Sequence, residues 1–174
     1  MYRLYRLLRD DERPELFGIR AKDPNARLDL TEHVQFGSRR YYQSQFISCT
    51  ETLNGVIELG KSNIRHGYSN RIRIAVIDPL KMVKTNGIKV YDSKALQCLK
   101  TSRARQNAKK YDEVVIEGII APDCICEVIS VEQMGPNILW PFFQYVRLDF
   151  MTESALTHRV ICMLLGCPLP LLSI

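Results

Sequence analysis

Residues 71–78, Arg71-Ile72-Arg73-Ile74-Ala75-Val76-Ile77-Asp78, set Ile72, Ile74 and Val76 against Arg71, Arg73 and Ala75 in strict alternation. A two-residue period marks an extended strand with one apolar face, and Pro79 stops it. This reading predicts a half-buried strand. Downstream, a short strand near Ile88 to Tyr91 precedes the polar, basic stretch SKALQCLKTSRARQNAKKYD, whose residues favour helix around a weak apolar face. The run EVVIEGII, beginning at Glu113, is β-branched and reads as one strand. The turn APDC separates it from ICEVISVE, another alternating strand. Upstream, QSQFISCTETLNGVIELGK reads as a short strand over Gln45 to Cys49 that passes into a helix carrying Leu53, Val56, Ile57 and Leu59, capped by Thr50 or Thr52. Residues 10–40 are rich in turn formers (Pro14, Gly18, Asp23-Pro24-Asn25, Gly37-Ser38), with a short helix near Leu30 to Val34. A loop of that length in a small domain points to binding. The chain opens with a strand ending near Leu8.

Strand, loop, strand-helix, then several strands predict a mixed α+β domain rather than a wound βαβ sheet. A chain of 174 residues has material for one core. The expected organisation is a functional domain over residues 1–133 and an extension over residues 134–174 packed on it. In that extension LWPFFQYVRLDF reads as a strand interrupted by Pro141, and TESALTHRVICMLLG as a helix stopped by Gly166.

The 24 Lys and Arg against 19 acidic residues give a net charge of +5, which suits anionic partners such as nucleotides without demanding a polynucleotide. Cys49, Cys98, Cys124, Cys126, Cys162 and Cys167 are scattered among apolar neighbours without paired spacing, and His33, His66 and His158 lie far apart. Reduced thiols and no metal site are expected. The opening MYRLYRLLRDDE lacks an apolar run of signal-peptide length. The stretch VICMLLGCPLPLLSI is broken by Pro168 and Pro170 and falls short of the roughly twenty residues that span a bilayer as a helix. The expected location is the cytosol, or a cytosol into which the chain is delivered.

Three segments carry candidate chemistry. Arg6 ends the first strand, where a guanidinium on a rigid element can grip a pyrophosphate through paired donors. Phe46, Ser48 and Thr50 share one strand face, combining an aromatic plane with two hydroxyls. Glu113 stands where a polar segment enters a buried strand, and Glu117 has the same parity and competes with it. No GxSxG elbow is present.

Together these segments resemble the arginine, serine, glutamate signature of the ADP-ribosyltransferase superfamily. LYRLLR resembles its first strand, SQFISCT its serine-threonine-serine strand, and YDEVVIEGIIAPDCI its glutamate strand with the turn that follows. LRDDE, GIRAKDPNA and EHVQFGSR extend the similarity to small transferase domains of bacterial toxins and effectors, over roughly residues 2–130. The resemblance implies a two-sheet α+β fold around an NAD cleft, with NAD as substrate. It implies that Arg6 holds phosphate and ribose, that Ser48 orients the glutamate, and that Glu113 is the catalytic carboxylate. His33, Gly37, Ser38, Phe46 and Thr50 are further expected NAD contacts. Thr50 keeps the hydroxyl of the third serine-motif position, whereas Tyr111 departs from the Glu or Gln that arginine-modifying members carry two residues before the glutamate. The implied activity is cleavage of the nicotinamide–ribose bond and transfer of ADP-ribose to a protein or other macromolecular acceptor, a protein being the expected target and nucleic acid not an expected partner. Water as acceptor would make the chain an NAD glycohydrolase. A catalytically inactive nucleotide- or partner-binding module, and a basic RNA-binding domain using SRARQNAKK, are the readings from other classes.

Overall fold

The computed structural model describes residues 2–37, 41–66, 71–82, 87–135 and 138–141. Its strands are β1 (Leu4–Leu7), β2 (Ile19–Arg20), β3 (Phe46–Thr50), β4 (Arg71–Ile77), β5 (Lys89–Tyr91), β6 (Glu113–Glu117), β7 (Ile119–Ile120), β8 (Ile125–Gly135) and β9 (Ile138–Pro141). Its helices are α1 (Pro14–Phe17), α2 (Leu30–Phe36), α3 (Leu53–Arg65), α4 (Pro79–Met82), α5 (Ser93–Gln97) and α6 (Ser102–Lys110), with a 3-10 turn at Pro122–Cys124. Among the described residues, seven strands form one sheet in the order β5-β6-β3-β1-β4-β8-β9, and β2 pairs with β7 in a second sheet. Every pairing is antiparallel. The domain is α+β, as the order of elements predicted.

The strand over residues 71–77 is central rather than half-buried. It lies between β1 and β8, and its residues after Arg71 are buried on both faces. Ala75 and Ile77 join Leu4, Ile47, Cys49, Val114 and Ile116 on one face, where Ile19 and Ile120 of the small sheet close over them. Ile72, Ile74 and Val76 pack on the other face against Val56 and Ile57 of α3. Arg73 looked like an outward residue, yet it is buried because its Nη1 donates to the Glu12 carbonyl at 2.8 Å. A buried polar group with a partner is tolerated where an orphaned one is not.

The run EVVIEGII also divides. β6 ends at Glu117, Gly118 turns the chain at φ +127°, and Ile119 and Ile120 cross to the small sheet opposite Arg20 and Ile19. A side chain would be strained at that φ, so glycine is what allows one β-rich run to serve two sheets.

Thr52, not Thr50, caps α3, accepting from the Gly55 N–H. Helices α2, α5 and α6 cover the β6 end of the main sheet, where Val34, Leu96, Leu99, Ala104 and Ala108 bury Phe46 and Val115. Val34, Leu96 and Leu99 each contribute about 1.5–3 kcal/mol on burial, and the two alanines less. The boundary expected after residue 133 falls inside β8, which runs to Gly135 and pairs with β9. The rest of the extension, including the helix expected over TESALTHRVICMLLG, lies outside the described residues, as do Ser38, His158, Cys162 and Cys167. No helix among the described residues is long and apolar enough to cross a membrane.

Candidate active site

Strand β3 organises the site because its two flanks differ. On one side, β6 pairs with it residue by residue, setting Phe46 opposite Glu117, Ser48 opposite Val115 and Thr50 opposite Glu113. Directly opposed residues project to the same face of a sheet. Phe46, Ser48, Thr50, Glu113 and Glu117 therefore share one face. On the other side, β1 meets β3 at a single registered pair, Tyr5 and Thr50, which roots Arg6 on the opposite face.

The Arg6 guanidinium crosses the opening between β1 and β3. Its Nη1 donates to the Ser48 carbonyl at 2.7 Å, while Nε and Nη2 donate to Glu12 Oε1 at 3.2 and 2.8 Å. Glu12 is buried; its other oxygen accepts from the Arg9 N–H at 2.7 Å, and the Arg9 guanidinium lies 3.1 Å from Oε1. Of the five N–H groups of Arg6, three are held inside the protein. Among the described residues, one N–H on each terminal nitrogen of this buried guanidinium has no hydrogen-bond partner.

Ser48 is the hub on the shared face. His33, on α2, places Nε2 2.9 Å from Ser48 Oγ and Nδ1 2.7 Å from Ser44 Oγ. Burial, reinforced by the positive charges of Arg6 and Lys22, pushes the imidazole down to about 4, so it is neutral at physiological pH. A neutral imidazole has one donor and one acceptor. Ser48 shares a strand face with Glu113 and lowers the proton affinity of its carboxyl. The tautomer with its proton on Nε2 donates to the Ser48 oxygen, leaves the Ser48 proton free to face Glu113, and lets the Ser44 hydroxyl donate to Nδ1. In that tautomer the hydrogen bonds run from Ser44 through His33 to Ser48, which faces Glu113 across the strand pair.

Glu113 is half-buried, and loss of solvent pushes its carboxyl up to about 7, with the Ser48 hydrogen bond opposing the rise. Glu117 has other partners. The Tyr91 hydroxyl donates to it at 2.9 Å and Lys89 pairs with it at 3.4 Å. Of the two carboxylates of like parity, Glu113 stands with Ser48.

The remaining expected contacts are distributed unevenly. Phe46 is buried, its ring 5.3 Å from that of His33 and 6.0 Å, edge-on, from Tyr91, so it forms part of the wall behind the site. Thr50 is buried and donates to the Thr52 carbonyl at 2.9 Å, which secures the entry to α3. Gly37 packs on the imidazole, where a Cβ would stand 3.1 Å from two ring atoms and 2.5 Å from the His33 carbonyl oxygen. Its small size makes room for His33. Tyr111 follows α6 and adjoins Asp112, a non-glycine residue at φ +48° whose carboxylate accepts from the Thr52 hydroxyl at 2.6 Å.

Two participants lie within the motifs LRDDE and SQFISCT without having been singled out there. Glu12 sits in an acidic turn beside Asp10 and Asp11, with nothing local to single it out. Ser44 differs from Ser48 only in lying ahead of the strand.

The fold is similar to that of a solved structure titled EcPltA, with a TM-score of 0.55 and 17% identity, covering 84% of this chain and 89% of that one. The nicked and full-length forms of the CARDS toxin are more distantly similar, both with a TM-score of 0.48, at 18% and 15% identity. Those matches cover 75% and 84% of this chain, which spans 25% and 28% of the toxin chains. At such identities the likeness is one of fold. No curated protein sequence matches. The family described as "Domain of unknown function (DUF7587)" matches residues 10–134, more than half of the chain, and this chain belongs to it.

Proposed function

We propose that the chain cleaves the nicotinamide–ribose bond of NAD and transfers ADP-ribose to a protein acceptor. The observation that carries this reading is the meeting at Ser48 of His33, on its hydroxyl, and Arg6, on its main-chain carbonyl, with Glu113 on the same face of the paired strand. The motif resemblance to ADP-ribosyltransferases and the fold shared with EcPltA support it.

The residues fit the needs of that substrate. The two free N–H groups of Arg6 suit a phosphate oxygen. Nicotinamide leaves as a neutral base from a cationic precursor, so its departure needs no acid. What the bond cleavage needs is a fixed negative charge as positive charge grows on the ribose. Glu113 supplies it from a site that raises its proton affinity, and Ser48 fixes the carboxylate's direction so that little reorganisation accompanies the reaction. His33, neutral, donates to Ser48 without adding a cation beside the developing one. Arg6 holds the β3 backbone under Ser48 and contributes positive charge beyond it. The compartment of action is an NAD-containing cytosol, the cell's own or that of a target cell.

The test uses labelled NAD with a cell lysate, scoring both nicotinamide release and label on protein. Glu113→Gln lowers nicotinamide release about 10²–10³-fold, on the order of 3 kcal/mol in the barrier, the scale for loss of one preorganised electrostatic group. Release at the wild-type rate from a folded Glu113→Gln protein refutes the assignment. Free ADP-ribose without labelled protein assigns water as the acceptor.

A further inference from the structure

Residues 93–111 hold six of the chain's 24 Lys and Arg and none of its 19 acidic residues, so the remainder of the chain carries a net charge of −1. The protein's whole basic excess is thus concentrated in α5, α6 and their connection, ending two residues before Glu113. Ala104 and Ala108 face the core, and Arg103, Arg105, Lys109 and Lys110 occupy the exposed arc of α6.

Helix stability accounts for Lys109 and Lys110, which sit in the last turn where the dipole favours cations, but not for the rest of this pattern. Arg103 lies in the first turn, where the helix dipole disfavours a cation. Arg105 and Lys109 are four apart, a like-charge spacing that destabilises. A helix exposed only to solvent ordinarily mixes signs. Few of these charges are neutralised internally. Lys100 pairs with Asp29 at 2.6 Å, Arg105 donates to the Leu99 carbonyl, and Lys110 lies 4.9 Å over the Tyr111 ring. Lys94, Arg103 and Lys109 have no acidic partner among the described residues.

We infer that the exposed face of α6, with Lys94, docks an acidic segment of the protein acceptor and so presents the acceptor to Glu113. This inference rests on the transferase reading and specifies its partner. An acidic peptide fits better than a nucleic acid for two reasons. Binding of single strands combines basic tracks with aromatic faces on which bases stack, and the aromatic residue adjoining this arc, Tyr111, is half-buried beneath Lys110. The nine residues of α6 make a patch about 13 Å long, while the charges of the rest of the chain nearly balance. A short acidic segment is matched by that length, whereas a polynucleotide would continue onto surface with no further basic excess.

The experiment compares the full chain with the triple variant Arg103→Gln, Lys109→Gln, Lys110→Gln. Binding of fluorescent deca-glutamate, of a neutral Gly/Ser decapeptide and of a ten-nucleotide DNA single strand is read by anisotropy at 50 and 200 mM salt. The variant is expected to bind deca-glutamate at least tenfold more weakly and with a shallower salt dependence, while its nicotinamide release in the absence of acceptor matches wild type. Deca-glutamate, but not the neutral peptide, is expected to compete with labelling of lysate proteins by the wild type. Equal deca-glutamate binding by the two proteins overturns the docking surface, and tighter binding of the DNA strand overturns the choice of partner. Absence of nicotinamide release from either protein strikes the transferase reading instead, and is told apart because peptide binding is read without NAD.

Discussion

The two flanks of β3 deliver their functional groups by different means. Toward β6, five consecutive registered pairs fix Glu113 relative to Ser48, so backbone geometry positions the carboxylate. Toward β1 there is one registered pair, and the opening beyond it is bridged by side chains: Arg6 on the Ser48 carbonyl, held in turn by Glu12. A ladder tolerates a changed side chain, because the strand stays in place without it. A bridge made of a buried ion pair fails when either end is removed.

The largest expected consequence of that difference is at Glu12. Glu12→Ala leaves the Arg6 guanidinium buried with its main counter-charge gone, at a cost of about 3–5 kcal/mol in unfolding free energy by urea titration. Because Arg6 would no longer be held against the β3 backbone, NAD cleavage should fall as well. Glu12→Gln keeps an acceptor of the same shape and should recover part of both. If Glu12→Ala stays within 1 kcal/mol of wild type, the bridged flank is held by something else and the comparison breaks.

A smaller effect is expected on the laddered flank, at Thr52. Its hydroxyl caps α3 by accepting from the Gly55 N–H and also donates to Asp112, the residue before Glu113. Thr52→Val removes both bonds and should cost about 1 kcal/mol, the usual scale of a lost N-cap, with Thr52→Ser restoring it. A loss as large as that at Glu12 would mean that the ladder depends on its end knot as heavily as the open flank depends on its bridge.

The same contrast explains what could be read from sequence. Glu113 and Ser48 lie on segments whose β-branched runs and alternation announce strands, and strand parity is enough to place their side chains on a common face. His33 fell within a recognisable motif, although its role through Ser44 depends on a tertiary approach of α2 to β3. Glu12 was illegible because a carboxylate in a turn becomes a counter-ion only when the fold brings Arg6 and Arg9 around it, with Arg73 on its backbone carbonyl. The strand over 71–77 looked half-buried because arginine normally marks a solvent face. Arg73 breaks that rule by finding a backbone carbonyl inside. The course of EVVIEGII turned on one glycine, whose positive φ no local pattern announces.

The smallest predicted effect separates the two titrating groups of the site by their opposite signs. Glu113 has its carboxyl raised from 4.5 to about 7, so between those values the folded state binds a proton that the unfolded state has lost, and stability declines as pH rises through this window. His33 has its imidazole lowered from 6.5 to about 4, so in that window the unfolded state binds the extra proton, and stability declines as pH falls. The two trends oppose each other between pH 4.5 and 6.5, and the wild type should show a shallow profile there. Glu113→Gln removes only the first. Its melting temperature should match wild type below pH 4.5 and exceed it above pH 7 by about 2–4 °C, corresponding to about 1 kcal/mol once solvent access to the half-buried carboxyl is allowed for. In the variant the His33 trend stands alone, so stability should drop as pH falls from 6.5 toward 4. A Glu113→Gln protein that is less stable than wild type at pH 8 would mean that the ionised carboxylate is stabilised in place, and that Ser48 outweighs desolvation on the laddered flank.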